Sequence, residues 1–293
     1  MPGPTTNPVS GAHFQKPPVL TQDEPWAAHA RHWNRLGPPL RPVAEDVRRL
    51  HSAWASSADS PIFPSRKIEI LLLGVTPELA SHQWAHEFQL SAVDASEAMI
   101  QGVWPGDTEQ RRAYCSSWTS TPFGDASFDF IVSDCGLTPL ATPGQVADLG
   151  LELRRLIRRD GRVVMRHFAQ SANPLPMAQL VQQVESGKLR NFHELKLRLL
   201  LALAATLPAV RLGDAWEKFE QHFPDRARLA EQLGCSLEII ATIDAYRERD
   251  GSYAFPTLAE LAQQFSGFTL KTGPDATYPL AECCPVFSLT PKP

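Results

Sequence analysis

Apolar residues along this chain follow two alternating spacings. Between residues 66 and 170, short apolar runs of strand length alternate with stretches in which apolar residues recur every three or four positions. The run Ile68 to Leu73 is short and closed by Gly74, as a parallel strand buried on both faces should be. The pattern predicts a strand over 68–73, a helix over 78–88, a strand ending at Asp94 and a helix from Ser96. A short strand near Ala113, a strand over 128–133, a helix over 143–158 and a strand over 162–168 follow. Strands that alternate with helices make a parallel sheet covered on both sides. The helix over 143–158 carries Val146, Leu149, Leu153, Leu156 and Ile157 on one stripe. Arg154, Arg155, Arg158 and Arg159 are expected at its C-terminal end, where cations suit the helix dipole, with Asp160-Gly161 as its stop.

Before this core, Trp26, Ala30 and Trp33 are spaced four and three apart, and a break at Gly37-Pro38-Pro39 precedes a second helical stretch, Val43 to Trp54. These predict a helical N-terminal cap, 23–65, ending in the turn-rich SSADSPIFPS. Residues 1–22, rich in Pro, Thr, Asn and Gly and without the apolar core of a signal peptide, are expected to form a mobile tail. After the 66–170 core, residues 171–254 carry almost only helical signals and read as an inserted helical lid. Residues 255–293 return to the sheet: a helix Leu258–Phe265, then Phe268–Lys271 and Pro285–Leu289 as an antiparallel pair around a turn with Gly273-Pro274-Asp275. The fold class is therefore α/β: a doubly wound, mostly parallel, Rossmann-like sheet with an antiparallel C-terminal strand and a helical insertion.

Composition narrows the function classes. With 28 Lys+Arg against 32 Asp+Glu, the charge balance offers no broad attraction to nucleic acid or anionic membrane, and a small-molecule substrate fits better. The longest apolar run, Leu199 to Ala205, is far short of the about 20 residues that span a bilayer. Cys115, Cys135, Cys235, Cys283 and Cys284 show neither a disulfide framework nor zinc-site spacing, so reduced thiols in a cytoplasmic protein and no metal are expected. The segment RLAEQLGCSLEIIATIDAYRE superficially matches a helix-turn-helix, but its second helix offers no Arg, Lys, Asn or Gln to read bases and carries Glu238 and Asp244. A packed helical corner is expected there.

The chemistry concentrates at the ends of the first strands. A strand ending at Gly74, a helix beginning near Pro77 and an acidic residue, Asp94, at the end of the next strand form the mononucleotide-binding half of a doubly wound sheet. The Asp94 carboxylate is placed to accept both ribose hydroxyls, and Ala95 and Met99 after it to cover adenine. The loop Gly74-Val75-Thr76-Pro77-Glu78 lacks the further glycines that let backbone approach a pyrophosphate, and Glu78 would repel phosphate. A cationic, sulfonium-bearing cofactor is compatible with both features.

Four segments in order carry a resemblance to the class I S-adenosylmethionine-dependent methyltransferases: ILLLGVTPEL to the first motif, AVDASEAMI to the acidic ribose-binding motif, WTSTPFGDASFDFIVSD to the stretch ending in strand four, and LRRLIRRDGRVVMRHF to the helix-to-strand-five segment. The resemblance implies S-adenosylmethionine as cofactor, with Gly74, Thr76, Asp94, Ala95, Met99, Ser117, Trp118 and Asp134 around it. Leu72 stands where the family usually carries an acidic residue, and Ser117, followed by Trp118, replaces the acidic residue that contacts adenine. Ser117 is expected to accept a hydrogen bond and Trp118 to stack on the base.

Asp134 and His167, at the ends of strands four and five, are the candidate catalytic residues, able to orient or deprotonate a nucleophile. Against them stand plainer roles: a histidine at a strand end is more often a hydrogen-bonded structural residue, and Asp94 or Ser96 is a natural helix N-cap. Trp104-Pro105-Gly106-Asp107 reads either as a turn or as an adenine cover, and Trp26, Trp33 and Arg41 as cap packing before closure over a cofactor. The expected function is methyl transfer to a small molecule bearing an O, N, S or C nucleophile, driven by alignment. Two alternatives remain: transfer or cyclisation of the aminocarboxypropyl arm, and a noncatalytic binding protein on a degenerate methyltransferase fold.

Overall fold

The computed structural model describes residues 23–55 and 66–293. The expected tail and the SSADSPIFPS stretch lie outside these residues. Two cap helices, α1 (Asp23–His32) and α2 (Ala44–Ala55), precede β1 (Ile68–Leu73), α3 (Pro77–Ala80), β2 (Phe88–Asp94), α4 (Glu97–Val103) and β3 (Arg111–Cys115). Then come β4 (Phe128–Asp134), α5 (Pro143–Leu156) and β5 (Ile157–Arg166). The insertion contains α6 (Met177–Glu185), α7 (Phe192–Ala204), β6 (Val210–Arg211), α8 (Leu212–His222), α9 (Arg226–Leu233), α10 (Leu237–Ile240) and β7 (Ser252–Tyr253). α11 (Leu258–Gln264), β8 (Phe268–Thr272) and β9 (Val286–Pro291) complete the chain.

Seven strands form one sheet in the order β3-β2-β1-β4-β5-β9-β8. β1 to β5 are mutually parallel, and β9 runs antiparallel to both β5 and β8. β1 shows why its apolar run must be two-sided: Ile68, Ile70 and Leu72 face one way, with Val47, Leu50, Met99 and Trp84, while Leu71 and Leu73 face the other, with Leu149, Leu153, Leu261 and Phe265. Each such buried side chain contributes roughly 1.5–3 kcal/mol over an exposed one. Leu72 is fully buried in the first of these layers, so the position where an acidic residue was looked for belongs to the core. The insertion has a separate core, built around Leu180, Phe192, Leu195, Leu199, Phe219 and Ile243, which Ala28 of the cap joins.

Local chemistry corrects several expectations. The helix expected over 78–88 stops at Ala80, because the buried indole of Trp84 donates to the Leu79 carbonyl at 3.0 Å, the acceptor that a continuing helix would give to Gln83. α5 begins with a full capping box, Thr142 with Gln145, and ends at Leu156 rather than 158. Arg158 and Arg159 therefore lie on β5, where Arg158 pairs with Asp129 of β4 at 2.7 Å. Asp160-Gly161 is strand, not helix stop: the β4–β5 register shifts between Phe128 and Phe130, and a Cβ at 161 would stand 2.9 Å from the Asp129 carbonyl. The turn expected at Gly273-Pro274-Asp275 is a longer connection containing a 3₁₀ turn, Ala281–Cys283. Likewise the second helix of the apparent helix-turn-helix divides into α10 and a 3₁₀ turn, Ala241–Tyr246, whose Asp244 is taken up by Arg226 and Trp216. Among the described residues no helix is long and apolar enough to cross a membrane.

Candidate functional site

Parallel packing brings Gly74, Asp94, Ser117, Asp134 and His167 to one edge of the sheet, each at or just beyond the end of a strand. The strand order reverses between β1 and β4, and open α/β sheets bind ligands in the crevice at such a point. Gly74 has φ +93°, a conformation that side-chain-bearing residues rarely adopt, so the turn out of β1 requires glycine. Its amide donates to the Val93 carbonyl at 2.8 Å, which also accepts the indole N–H of Trp118 at 2.8 Å.

Trp118 is anchored at the base of this edge. Its indole N–H is committed to β2, and its ring lies against Gly136, where a Cβ would come within 2.8 Å of the ring and 2.7 Å of Ser133 Oγ. A Cβ at Gly74 would meet the same ring at 3.8 Å. The indole is thus a floor between the ends of β1 and β4. Ser117 is exposed, and its hydroxyl pairs with Thr119 Oγ1 at 3.0 Å.

At the end of β2, Asp94 Oδ1 accepts the Ser96 amide at 2.9 Å, while the Ser96 hydroxyl caps α4 by accepting from Met99. Ser96, not Asp94, is the helix cap. Ala95 is exposed beside Asp94, whereas Met99 turns into the apolar layer with α2. Trp104 donates to Asp107 at 2.8 Å and has the Arg111 guanidinium 5.9 Å from its ring, which supports the turn reading of that segment.

The cap reaches the glycine loop through Arg41, whose Nε donates to Glu78 Oε1 at 2.8 Å. Arg41 also lies 5.2 Å from the centroid of the Trp33 ring. Thr76, buried, precedes Pro77 at the start of α3 without a side-chain capping bond. Glu78 Oε2 is buried and has no hydrogen-bond partner, an acceptor left unfilled at the lip of the loop.

Asp134 and His167 are both occupied. Arg166, fully buried on β5, pairs with Asp134 through Nε and Nη2 and with Asp46 of α2 through Nη1 at 3.1 Å. Arg49 Nη1 joins Asp46 at 3.1 Å, and the Tyr278 hydroxyl donates to it at 2.5 Å. Burial pushes the Asp134 carboxyl up, and the Arg166 guanidinium opposes that. Burial also works against the Arg166 charge, but Asp134 leads the groups that hold it well above the usual range. Two Arg166 nitrogens on Asp134 and a third on Asp46 tie the sheet edge to the cap. His167, fully buried, donates Nε2–H to the Pro256 carbonyl at 2.9 Å, and burial lowers it to about 4. The plainer reading of a hydrogen-bonded histidine describes its Nε2 side.

Sequence reasoning passed over Arg166 and Asp46. The available signal was a lone cation closing the otherwise apolar VVM run of β5, beside the acidic end of β4.

Residues 71–165 match a family model described as a methyltransferase domain. A Rhodobacter sphaeroides structure described among Zn-dependent alcohol dehydrogenases is similar over 94% of this chain and 100% of its own, with a TM-score of 0.58 and 12% identity. A DhpI–SAH complex is similar over 92% and 96%, with a TM-score of 0.50 and 13% identity. At these identities the two structures show the fold alone. Among the described residues, no group of three His, Cys, Asp or Glu side chains is arranged to hold a metal ion. No curated protein sequence matches this chain significantly.

Proposed function

We propose that this chain, which carries a methyltransferase domain over residues 71–165 on the class I S-adenosylmethionine-dependent methyltransferase fold, transfers a methyl group from S-adenosylmethionine to a small-molecule acceptor. The observation that carries the reading is the adjacency of Gly74 and Asp94, on the ends of paired strands β1 and β2, beside the β1/β4 switch point. The residues present fit the cofactor. The positive-φ turn at Gly74 keeps the loop free of a side chain, and the Asp94 carboxylate stands where a ribose would be gripped. Glu78 Oε2 supplies an unfilled acceptor at the lip of the loop, on a carboxylate whose charge Arg41 pairs. Gly74, Thr76, Asp94 and Ala95 would hold the cofactor, with Trp118 as the floor beneath it.

When bound, the cofactor supplies an electrophilic methyl group on a sulfonium. The chain's contribution is alignment, which can account for about 7–11 kcal/mol of a barrier when the reacting atoms are held in line. Asp134, held by Arg166, keeps β4, β5 and α2 in register around the crevice. The insertion and cap share a core through Ala28, which supports a role for both in enclosing the acceptor.

Incubation with S-adenosylmethionine and a panel of alcohols, amines, thiols and activated carbon acids, with nucleoside products separated by chromatography, tests the reading. Acceptor-dependent release of S-adenosylhomocysteine is expected. Release of methylthioadenosine would replace methyl transfer by transfer or cyclisation of the aminocarboxypropyl arm, and absence of both products would contradict an enzymatic role.

A further inference from the structure

The turn between α1 and α2 is held more lightly than the helices on either side of it. α1 sits closely on α4, where a Cβ at Gly102 would stand 3.1 Å from that of Ala30, and its Ala28 joins the core of the insertion. α2 is tied to the sheet edge by Asp46, 3.1 Å from Arg166. Between them, the 3₁₀ turn Trp33–Arg35 has no buried residue and no side-chain cap. Two of its ties to the insertion, Arg35 to Glu238 at 3.4 Å and Asn191 Nδ2 to the Pro38 carbonyl at 2.9 Å, are exposed. Exposed contacts of this kind contribute little.

Towards the glycine loop the turn is fastened by one side chain. Arg41 Nε donates to Glu78 Oε1 at 2.8 Å, and Nη2 pairs with the same oxygen. Arg41 Nη1 donates to the Trp33 carbonyl at 3.3 Å, and the guanidinium lies 5.2 Å from the centroid of the Trp33 ring. The Trp33 ring packs in turn on the apolar layer that contains Val75 and Leu79. Arg41 therefore bridges the turn and the start of α3. At this contact Val75 is 1% and Thr76 7% exposed, so the loop beside Gly74 is covered. The other end of the candidate site is open: Asp94 is half-buried and Ala95 exposed.

Both partners of Arg41 keep a polar atom unmet. Glu78 Oε2 and Trp33 Nε1 are buried and have no hydrogen-bond partner among the described residues. A buried acceptor and a buried donor without partners each cost free energy that hydration would relieve. The covered arrangement thus sets one bridged ion pair against two desolvated groups, which brings the covered and uncovered arrangements close in free energy.

We propose that Trp33 and Arg41 form a gate over the glycine loop, latched by Glu78, which swings aside before a ligand reaches Gly74 and Thr76. Opening breaks the Arg41–Glu78 pair and exposes Trp33 Nε1 and Glu78 Oε2 to water, while α1 and α2 keep their seats. That the admitted ligand is S-adenosylmethionine rests on the function proposed above. The opening itself does not.

The test is solvent exchange of the Trp33 indole N–H, followed by NMR on the full chain without added ligand and assigned by its loss in Trp33→Phe. The Trp84 indole, buried and bonded to the Leu79 carbonyl, is the internal control for general loosening. In Arg41→Met and in Glu78→Gln the Trp33 exchange rate should rise about tenfold, equivalent to about 1.4 kcal/mol and between the values of exposed and buried pairs. The double variant should rise no further than either single one, because both remove the same interaction. Added salt should speed Trp33 exchange in the native chain and leave Arg41→Met unchanged. An unchanged Trp33 rate, an equal rise at Trp84, or additive effects of the two substitutions would overturn the gate. Stopped-flow association of S-adenosylhomocysteine, read by tryptophan fluorescence, then tests entry, and its rate should rise in Arg41→Met with the indole exchange. Association that ignores the substitution would overturn the gate as a control of entry. No binding to the native chain would sink the cofactor reading, and the indole exchange would still decide for or against the opening.

Discussion

Lys196 offers a quantitative test of how the insertion is held together. Its side chain, 1% exposed on α7, donates to the Thr242 carbonyl at 3.1 Å and lies 4.1 Å from the centroid of the Tyr246 ring. It pairs with no carboxylate. Asp244, the acidic residue that favours its charge, is engaged by Arg226 and Trp216. Burial lowers the ammonium from 10.5 to about 7. Between those two values the unfolded chain binds the proton that the folded chain has released, so this group makes stability rise with pH from about 7 to 10.5. Below about 7 the folded state bears the whole cost, on the order of 5 kcal/mol, since each tenfold loss of proton affinity is worth about 1.4 kcal/mol. The Tyr246 ring attracts the charged form by up to about 2 kcal/mol, which leaves a net cost of about 3 kcal/mol. Lys196→Met keeps the stem and removes the charge. It should stabilise the protein by about 2–3 kcal/mol at pH 6, and the gain should fall towards zero near pH 10. Urea unfolding of both proteins at pH 6, 8 and 10 measures this as a difference, so that other titrations common to both cancel. A difference that does not change with pH, or a loss of stability at pH 6, would refute the reasoning.

Other consequences are open to measurement. Asp134→Asn should cost about 3–5 kcal/mol in chemical denaturation, because it strips a buried guanidinium of its bidentate partner, and Asp134→Asn combined with Arg166→Met should recover much of that. His29, lowered to about 3, and His167 and His193, each to about 4, are kept neutral chiefly by burial. Below pH 6.5 the unfolded chain takes up protons these three refuse, so stability should fall steeply from pH 6.5 to about 4 in circular dichroism, and His193→Phe should flatten that slope.

The fold was legible because its signals are redundant. β1, β2 and β4 each announce themselves by an apolar run and by the glycine or aspartate that ends it, and Thr142-Pro143 states where α5 begins. The boundary errors have a common origin in tertiary contacts. Nothing local to Pro77–Phe88 says that Trp84 will bury beneath α2 and take the Leu79 carbonyl, and nothing near Asp160-Gly161 reveals the register shift opposite Asp129. The site was legible as a set of strand ends but not as a set of partners. Asp134 was visible as an acidic residue on the right edge; its role depends on Arg166 and on Asp46, which lies 88 positions earlier on a different element. Trp118 was found by its place after β3, yet its indole hydrogen bond to Val93 could be seen only with β2 in place.

Calorimetric titration of the full chain with S-adenosylhomocysteine, beside Asp94→Ala and with NAD as control, tests the central claim most directly. Saturable binding to the native protein, lost in Asp94→Ala and absent for NAD, is the predicted result. Binding that is absent, or that Asp94→Ala leaves unchanged, would contradict the assignment of the β1–β2 edge as a cofactor site.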